Sequence, residues 1–291
     1  MTITTQNLFA WIRANQPDKK LTQKQVNATN SLLSLTGTSN LADILSELNR
    51  WDKIVPITQT SNRKYNLTYE NLKKAYPKVN PNAIPFILKY APVYGINTKK
   101  QMCSFLATCI IESNGFNAKR ESFAYSPNRL LQVFPRSRIP NLNFATNLVA
   151  KGQKEVANHL YNGRMGNRLG TDDGWRYRGN SWIQLTGRDN HYAMQRLTGI
   201  PVGDNPELLE DLEYACIVTM AWWKANGLNE KSELINVYSD GYTLNTLDAR
   251  GRETKDYKYN VGITSVRKSV NGGYNGLKEF AETFEKCMKY L

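Results

Sequence analysis

Apolar residues recur along most of this chain at spacings of three and four, the period of a helix with one buried face, while sustained alternation with period two is nearly absent. The fold class this predicts is mainly α. Capping chemistry marks the helix starts. Thr22 with Gln25 forms a capping box at the head of LTQKQVNATNSLLSL, and Leu21 can staple onto Val26. Thr68 can cap LTYENLKKAY, and Thr98 with Gln101 forms a second capping box opening KKQMCSFLATCIIES, which ends at Ser113, Asn114 and Gly115. LADILSELNRW, PNRLLQVF, ATNLVAKGQKEVANHLYNG, DNHYAMQRLTG, LEDLEYACIVTMAWWKANG and LKEFAETFEKCMKYL read as further helices. GTDDGWRYRGNSWIQLTGRDN, rich in Gly, Asp and aromatic residues, predicts a short hairpin or an ordered loop.

The polar, aperiodic stretch PITQTSNRKYN starts at Pro56 and suits a linker. It divides the 291 residues into a small helical N-terminal unit over 1–65 and a larger unit over 66–291. The first of these is expected to associate with a cell wall, because residues 1–75 hold ten Lys/Arg against five Asp/Glu.

Composition narrows the setting. Hydrophobic residues at 41% and charged residues at 22% are ordinary globular usage, and no apolar run reaches the roughly 18 residues a membrane helix needs. A soluble protein without an integral membrane segment is expected. The N-terminus shows no basic start followed by an apolar stretch and a small-residue cleavage site, so export is expected to need another route. Cys103, Cys109, Cys216 and Cys287 are scattered and predict no disulfide framework. His159 and His191 are the only histidines, and neither sits at metal-ligand spacing, so neither metal nor cofactor is expected. The net charge of +13 predicts attraction to polyanions, and residues 119–188 carry twelve Lys/Arg against four Asp/Glu. No nucleic-acid-binding motif accompanies that charge, which directs the expectation towards an anionic cell envelope.

Two carboxylates are candidates for chemistry. Glu112 follows Phe105 by seven and Cys109 by three, which places it on their apolar stripe at a helix C-terminus. Desolvation there would raise its pKa, as a general acid requires. On position alone, a helix-ending ion pair with an Arg is the commoner explanation. Glu121 stands beside Lys119 and Arg120, which would favour its ionised form. A surface ion pair is again the commoner explanation. Together the two would supply the acid and base that glycoside hydrolysis needs. In YRGNSWIQLTGRDNHY, Gln184, Thr186 and Asn190 alternate with apolar residues and could position a water and bond sugar hydroxyls or acetamides. In VNGGYNG, paired glycines allow close backbone approach and Asn271 could offer an amide to a ligand.

Six segments stand in one order: FLATCIIESNGF, RESFAYSPNRLLQVFP, VANHLYNGRMGN, YRGNSWIQLTGRDNHY, AWWKANGLN and ITSVRKSVNGGYNGL. Over roughly residues 67–291 they resemble the lysozyme-like, chitinase-like glycoside hydrolases of family 19, and the phage endolysins among them more than the plant chitinases. The resemblance implies a two-lobed catalytic domain around a substrate cleft, and an inverting mechanism. Glu112 then matches the general acid, Glu121 the general base and Thr186 the holder of the attacking water. Gln184, Asn190 and Asn271 match substrate contacts. Tyr125 falls in a shared segment beside the cleft, while Arg164, Asn167 and Trp222 are assigned to packing and cleft shape.

The implied substrate is the β-1,4-linked glycan of peptidoglycan, cleaved by a monomeric muramidase made in a host cytoplasm and released to the wall by a holin. A chitinase of the same fold, a lytic transglycosylase using one Glu, and a noncatalytic basic protein binding cell wall or nucleic acid are the alternatives. The chain departs from the family at Ile111, where His is common, at Gly179, Asn180 and Ser181, where Gly-Arg-Gly is usual, and at Lys278 and Glu279.

Overall fold

A computed structural model describes residues 65–117 and 120–291. The expected N-terminal unit, its two helices and the linker as far as residue 64 lie outside the described residues. The described part is helical: α1 (Tyr69–Ala75), α2 (Ile84–Tyr90), α3 (Lys99–Ser113), α4 (Pro127–Val133), α5 (Leu142–Ala150), α6 (Gln153–Tyr161), α7 (Asp173–Arg176), α8 (Arg188–Thr198), α9 (Leu212–Ala225), α10 (Leu228–Glu233), α11 (Val261–Asn271) and α12 (Leu277–Tyr290). Among the described residues, β-structure is confined to isolated bridges such as Asn180 with Leu185.

The capping chemistry read from the sequence is present. Thr68 Oγ1 accepts the Asn71 N–H at 3.2 Å to open α1. At α3, Thr98 Oγ1 accepts the Gln101 N–H at 3.2 Å while Gln101 Oε1 accepts the Thr98 N–H at 3.0 Å, a complete capping box. α3 ends where Asn114 turns left-handed at φ 51° and Gly115 follows at φ 73°. A Cβ on Gly115 would come within 2.7 Å of the Tyr76 ring, so only glycine fits this exit.

α3 is the central helix of the first core. Met102 through Ile110 are all buried, so it is enclosed on every side rather than along one stripe. Around it pack Leu72, Ile87, Trp223, Phe280 and Phe284, with Phe105 edge-on to Trp223 at 5.4 Å. Each such side chain contributes about 1.5–3 kcal/mol by leaving water. The Asn66 N–H bonds the Leu291 carbonyl at 2.7 Å and ties the start of this part to its end.

A second core gathers Phe123, Leu130, Ile139, Ala145, Val156 and Leu160 from α4, α5, α6, the segment before α4 and the one after it. A third, smaller one holds Leu185, Met194, Val202, Leu209 and Val218. Trp222 is half-buried and packs against both the first and the third, in keeping with the packing role expected of it. The architecture is mainly α, as expected, with its buried apolar side chains in three clusters. All four cysteines are buried free thiols, and no helix among the described residues is long and apolar enough to cross a membrane.

Several elements differ from expectation. The segment ATNLVAKGQKEVANHLYNG forms two helices, because Gly152 takes φ 96° and starts α6 anew. The loop GTDDGWRYRGNSWIQLTGRDN contains the single turn α7, and its hairpin reduces to one bridge. α2, α10 and α11 form where the periodicity predicts no helix. The first two are short, and α11 buries Ile263, Val266 and Arg267 around β-branched residues that weaken a helical pattern. Its Gly262 is obligatory, since a Cβ would meet the Ile235 backbone nitrogen at 2.2 Å.

Candidate active site

Glu112 is the penultimate residue of α3, carried to the rim of the first core by the helix that forms its centre. Its Oε1 accepts a charge-assisted hydrogen bond from Arg267 Nη1 at 2.6 Å. Arg267 is only 5% exposed, and its Nε donates to the Asn275 carbonyl at 2.6 Å. The Asn271 amide donates to that same carbonyl at 2.6 Å, and its Oδ1 accepts the Gly273 N–H at 3.0 Å. Gly276, at φ 68°, leaves room for the guanidinium, because a Cβ there would lie 2.8 Å from Arg267 Nη2. The apolar setting expected for Glu112 is therefore corrected. The helix-ending ion pair with an arginine is present, but its partner Arg267 is buried and comes from α11 rather than from the surface.

Glu121 stands in the segment that leads to the second core. Its carboxylate accepts the Tyr161 O–H, at 2.9 Å from Oε1 and 3.1 Å from Oε2, and the Gly179 N–H at 3.1 Å from Oε2. Burial pushes its pKa above the usual carboxylate value, against the pull of the Gly179 and Tyr161 bonds and the charge of Arg178. The ionised form expected for Glu121 from its basic neighbours is thus opposed by desolvation of its own carboxyl. Lys119 lies outside the described residues, and the Arg120 guanidinium turns away to Glu207 at 3.3 Å and to the Arg176 carbonyl at 2.5 Å. The cation near Glu121 is Arg178 instead. Its Nε donates to the Glu121 carbonyl at 3.1 Å, and its guanidinium stacks 3.5 Å above the Trp175 ring. Burial pushes Arg178 down to about 10.

Gly179 brings Glu121 against the next loop. A Cβ there would fall 2.4 Å from Gln184 Oε1 and 3.2 Å from Glu121 Oε2, so the bare backbone is what lets these groups converge. Beyond it, Asn180 and Leu185 exchange N–H···O bonds of 3.1 and 2.7 Å around a turn in which Ser181 and Gln184 adopt φ 61° and 54°. Thr186 Oγ1 donates to the Gln184 carbonyl at 2.8 Å, and Asn190 Nδ2 donates to the Thr186 carbonyl at 2.7 Å. His191 closes the loop from behind: fully buried, it donates Nδ1–H to the Gly187 carbonyl at 2.8 Å, and burial pushes its pKa down to about 4. Tyr125 is half-buried edge-on between Phe123 and Phe134, and burial and then the Glu121 charge raise its phenol.

The seven residues singled out by sequence thus fall into two groups. Gln184, Thr186 and Asn190 lie on the 179–190 loop, Glu121 bonds that loop at Gly179, and Tyr125 feels the Glu121 charge. Glu112 and Asn271 meet through Arg267 and Asn275. Among the described residues no hydrogen bond joins the groups, but Phe116, four after Glu112, packs edge-on at 4.8 Å against Trp182, two before Gln184. Arg164 Nη1 reaches the Leu160 carbonyl at 3.5 Å, and Asn167 bonds both the Tyr161 carbonyl and the Arg188 N–H, tying the end of α6 to the start of α8.

Tyr161, Arg178, Gly179 and Arg267 are parts of the site that residue patterns did not mark. All four lie inside the ordered segments, yet three of the bonds that give them meaning, to Glu121 and Glu112, span 40, 58 and 155 residues. A groove of about 1200 Å³ lies elsewhere. Tyr274 and Gly276, which flank Asn275, line it together with Tyr238, Tyr257 and Glu285, but neither Glu112 nor Glu121 does. Room alone is not chemistry, so the site is placed by the carboxylates. No group of three His, Cys, Asp or Glu side chains that could hold a metal ion occurs among the described residues.

Fold and site define a mainly α protein with two carboxylates set on separate polar networks. No family model matches the chain. Among curated proteins it is similar to one from Haemophilus influenzae named "Glycosyl hydrolase family 19 domain-containing protein", 29% identical over 195 residues, which are 67% of this chain and 82% of that protein.

Proposed function

We propose that this chain is an endolysin: a glycoside hydrolase that cleaves the β-1,4 bonds of peptidoglycan by an inverting, two-glutamate mechanism. The observation that carries the reading is the setting of Glu121, a desolvated carboxylate fixed by the Tyr161 O–H and the Gly179 N–H beside the loop of Gln184 and Thr186. The fixed bonds favour its ionised form while burial strengthens it as a base, the combination that proton abstraction from water requires.

In this reading Glu121 takes a proton from a water held by Thr186, that water attacks the anomeric carbon, and Glu112 protonates the departing glycosidic oxygen from the other face. The anomeric configuration inverts. Gln184, Asn190, Asn271 and Tyr125 bond or flank the sugar. The resemblance of the ordered segments supports this allocation, and the name of the similar protein supports a glycoside hydrolase in general. The residues 1–65 associate with the wall, the net charge of +13 holds the protein to an anionic envelope, and it acts as a monomer once the membrane is breached.

Digestion of purified peptidoglycan and of chitin, with mass spectrometry of the soluble fragments, tests the reading. The expected products carry the elements of water at a new reducing end, come from peptidoglycan, and are reduced at least a hundredfold by Glu121→Gln. Anhydro-ended fragments, or full activity of Glu121→Gln, would sink the hydrolytic scheme. Products from chitin alone would move the substrate.

A further inference from the structure

Tyr161 ends α6, whose apolar face belongs to the second core, so the phenol that reaches Glu121 comes from a different element than Glu121 itself. Its O–H lies within hydrogen-bond distance of both carboxylate oxygens, 2.9 Å and 3.1 Å. The ring is held edge-on to Phe123 at 5.5 Å and 89°. Its backbone is held as well: the Tyr161 carbonyl accepts Asn167 Nδ2 at 3.0 Å, and Asn167 Oδ1 accepts the Arg188 N–H at 2.9 Å. Arg188 opens α8 two residues after Thr186. Asn167 therefore fixes the phenol relative to the helix that carries the loop of Thr186.

A carboxylate offers about four lone-pair sites. Tyr161 and the Gly179 N–H engage both oxygens and leave the remaining lone pairs for other partners. We propose that Tyr161 is a positioning residue for Glu121, whose O–H sets the plane of the carboxylate and keeps it ionised so that a free lone pair is aimed at the attacking water. This rests on the reading of Glu121 as the general base. The titratable and charged groups around Glu121 are Tyr161 from α6, Arg178 from the following loop and Tyr125 from its own segment. Only the Tyr161 hydroxyl among them donates to the carboxylate.

Tyr161→Phe removes that donor and keeps the ring against Phe123. The sign follows directly: losing a donor to the charged form raises the Glu121 pKa, and a base must be ionised to act. The acid limb of the pH–kcat profile on peptidoglycan should therefore move to higher pH, and kcat should fall about tenfold or more with KM little changed. In parallel, the Glu121 side-chain carboxyl carbon, followed by NMR in the full-length chain, should titrate at higher pH in Tyr161→Phe than in the unaltered protein. An unmoved titration overturns the proposal. So does a fall in kcat with an unmoved acid limb and a lower melting temperature, which would make Tyr161 a purely structural part. If the unaltered protein releases no reducing ends from peptidoglycan, the hydrolase reading fails and the catalytic role of Tyr161 with it. A raised titration in that case still shows the bond tuning Glu121, so the two failures are told apart.

Discussion

Ser181 shows how one residue in the 179–190 loop departs from what its backbone favours. It adopts φ 61°, is 1% exposed, and its hydroxyl has no partner among the described residues. A left-handed conformation costs a residue with a Cβ about 1–2 kcal/mol, and an unpartnered buried hydroxyl costs a comparable amount. The family that this segment resembles usually has glycine here, and the departure is absorbed without losing the turn: the Asn180–Leu185 bonds are intact. Ser181→Gly is therefore expected to stabilise the protein by about 1 kcal/mol, after part of the gain is offset by a freer unfolded chain. Urea unfolding at fixed pH measures this; an equal or lower midpoint would show the turn to be unstrained. At the same scale, Glu112 and Glu121 show that near neighbours in sequence do not set a carboxyl's environment. Arg120 stands next to Glu121 and points away, while Arg267 stands 155 residues from Glu112 and bonds it.

At the scale of elements, the helix starts were legible because a cap is a local object. Thr68 and Thr98 bond donors three residues on, so composition and spacing suffice to see them. The break between α5 and α6 was not legible. A glycine inside an amphipathic run is tolerated in many helices, and only its φ of 96° shows that this one ends the run. α8 carries a second consequence. His191 is buried and neutral, held by the Gly187 carbonyl at the first turn of this helix, with its pKa pushed down to about 4. The unfolded chain binds a proton on His191 below the ordinary imidazole value of 6.5, whereas the folded one does not until about 4. The stability due to neutral His191 is therefore complete above about pH 6.5 and drains away as pH falls to about 4, by up to roughly 3 kcal/mol. Chemical unfolding of the protein and of His191→Gln across this window should show the variant losing distinctly less stability on acidification. Parallel losses would mean that His191 titrates normally.

At the scale of the whole molecule, charge and architecture act on different lengths. The excess of thirteen positive charges is a long-range property that salt can screen, whereas the carboxylate networks are contacts of 2.6–3.1 Å that salt barely touches. If the proposed attraction to an anionic wall holds, raising salt from about 50 mM to about 500 mM should release the protein from sedimented walls, while hydrolysis of soluble glycan fragments changes little. Retention at high salt would assign wall binding to specific contacts. What the sequence by itself determined was the helical class, the capped ends of α1 and α3, and a set of ordered segments rich in candidate groups. These depend on periodicity and on bonds between residues three or four apart, which any stretch of chain carries within itself. What only the tertiary structure decided was the company those groups keep: Glu112 with Arg267, Glu121 with Tyr161 and Gly179, and the division of the site between two networks borne by different cores. Such partners are brought together by the packing of helices far apart along the chain, and a carboxyl's burial and bonds exist only once that packing is made.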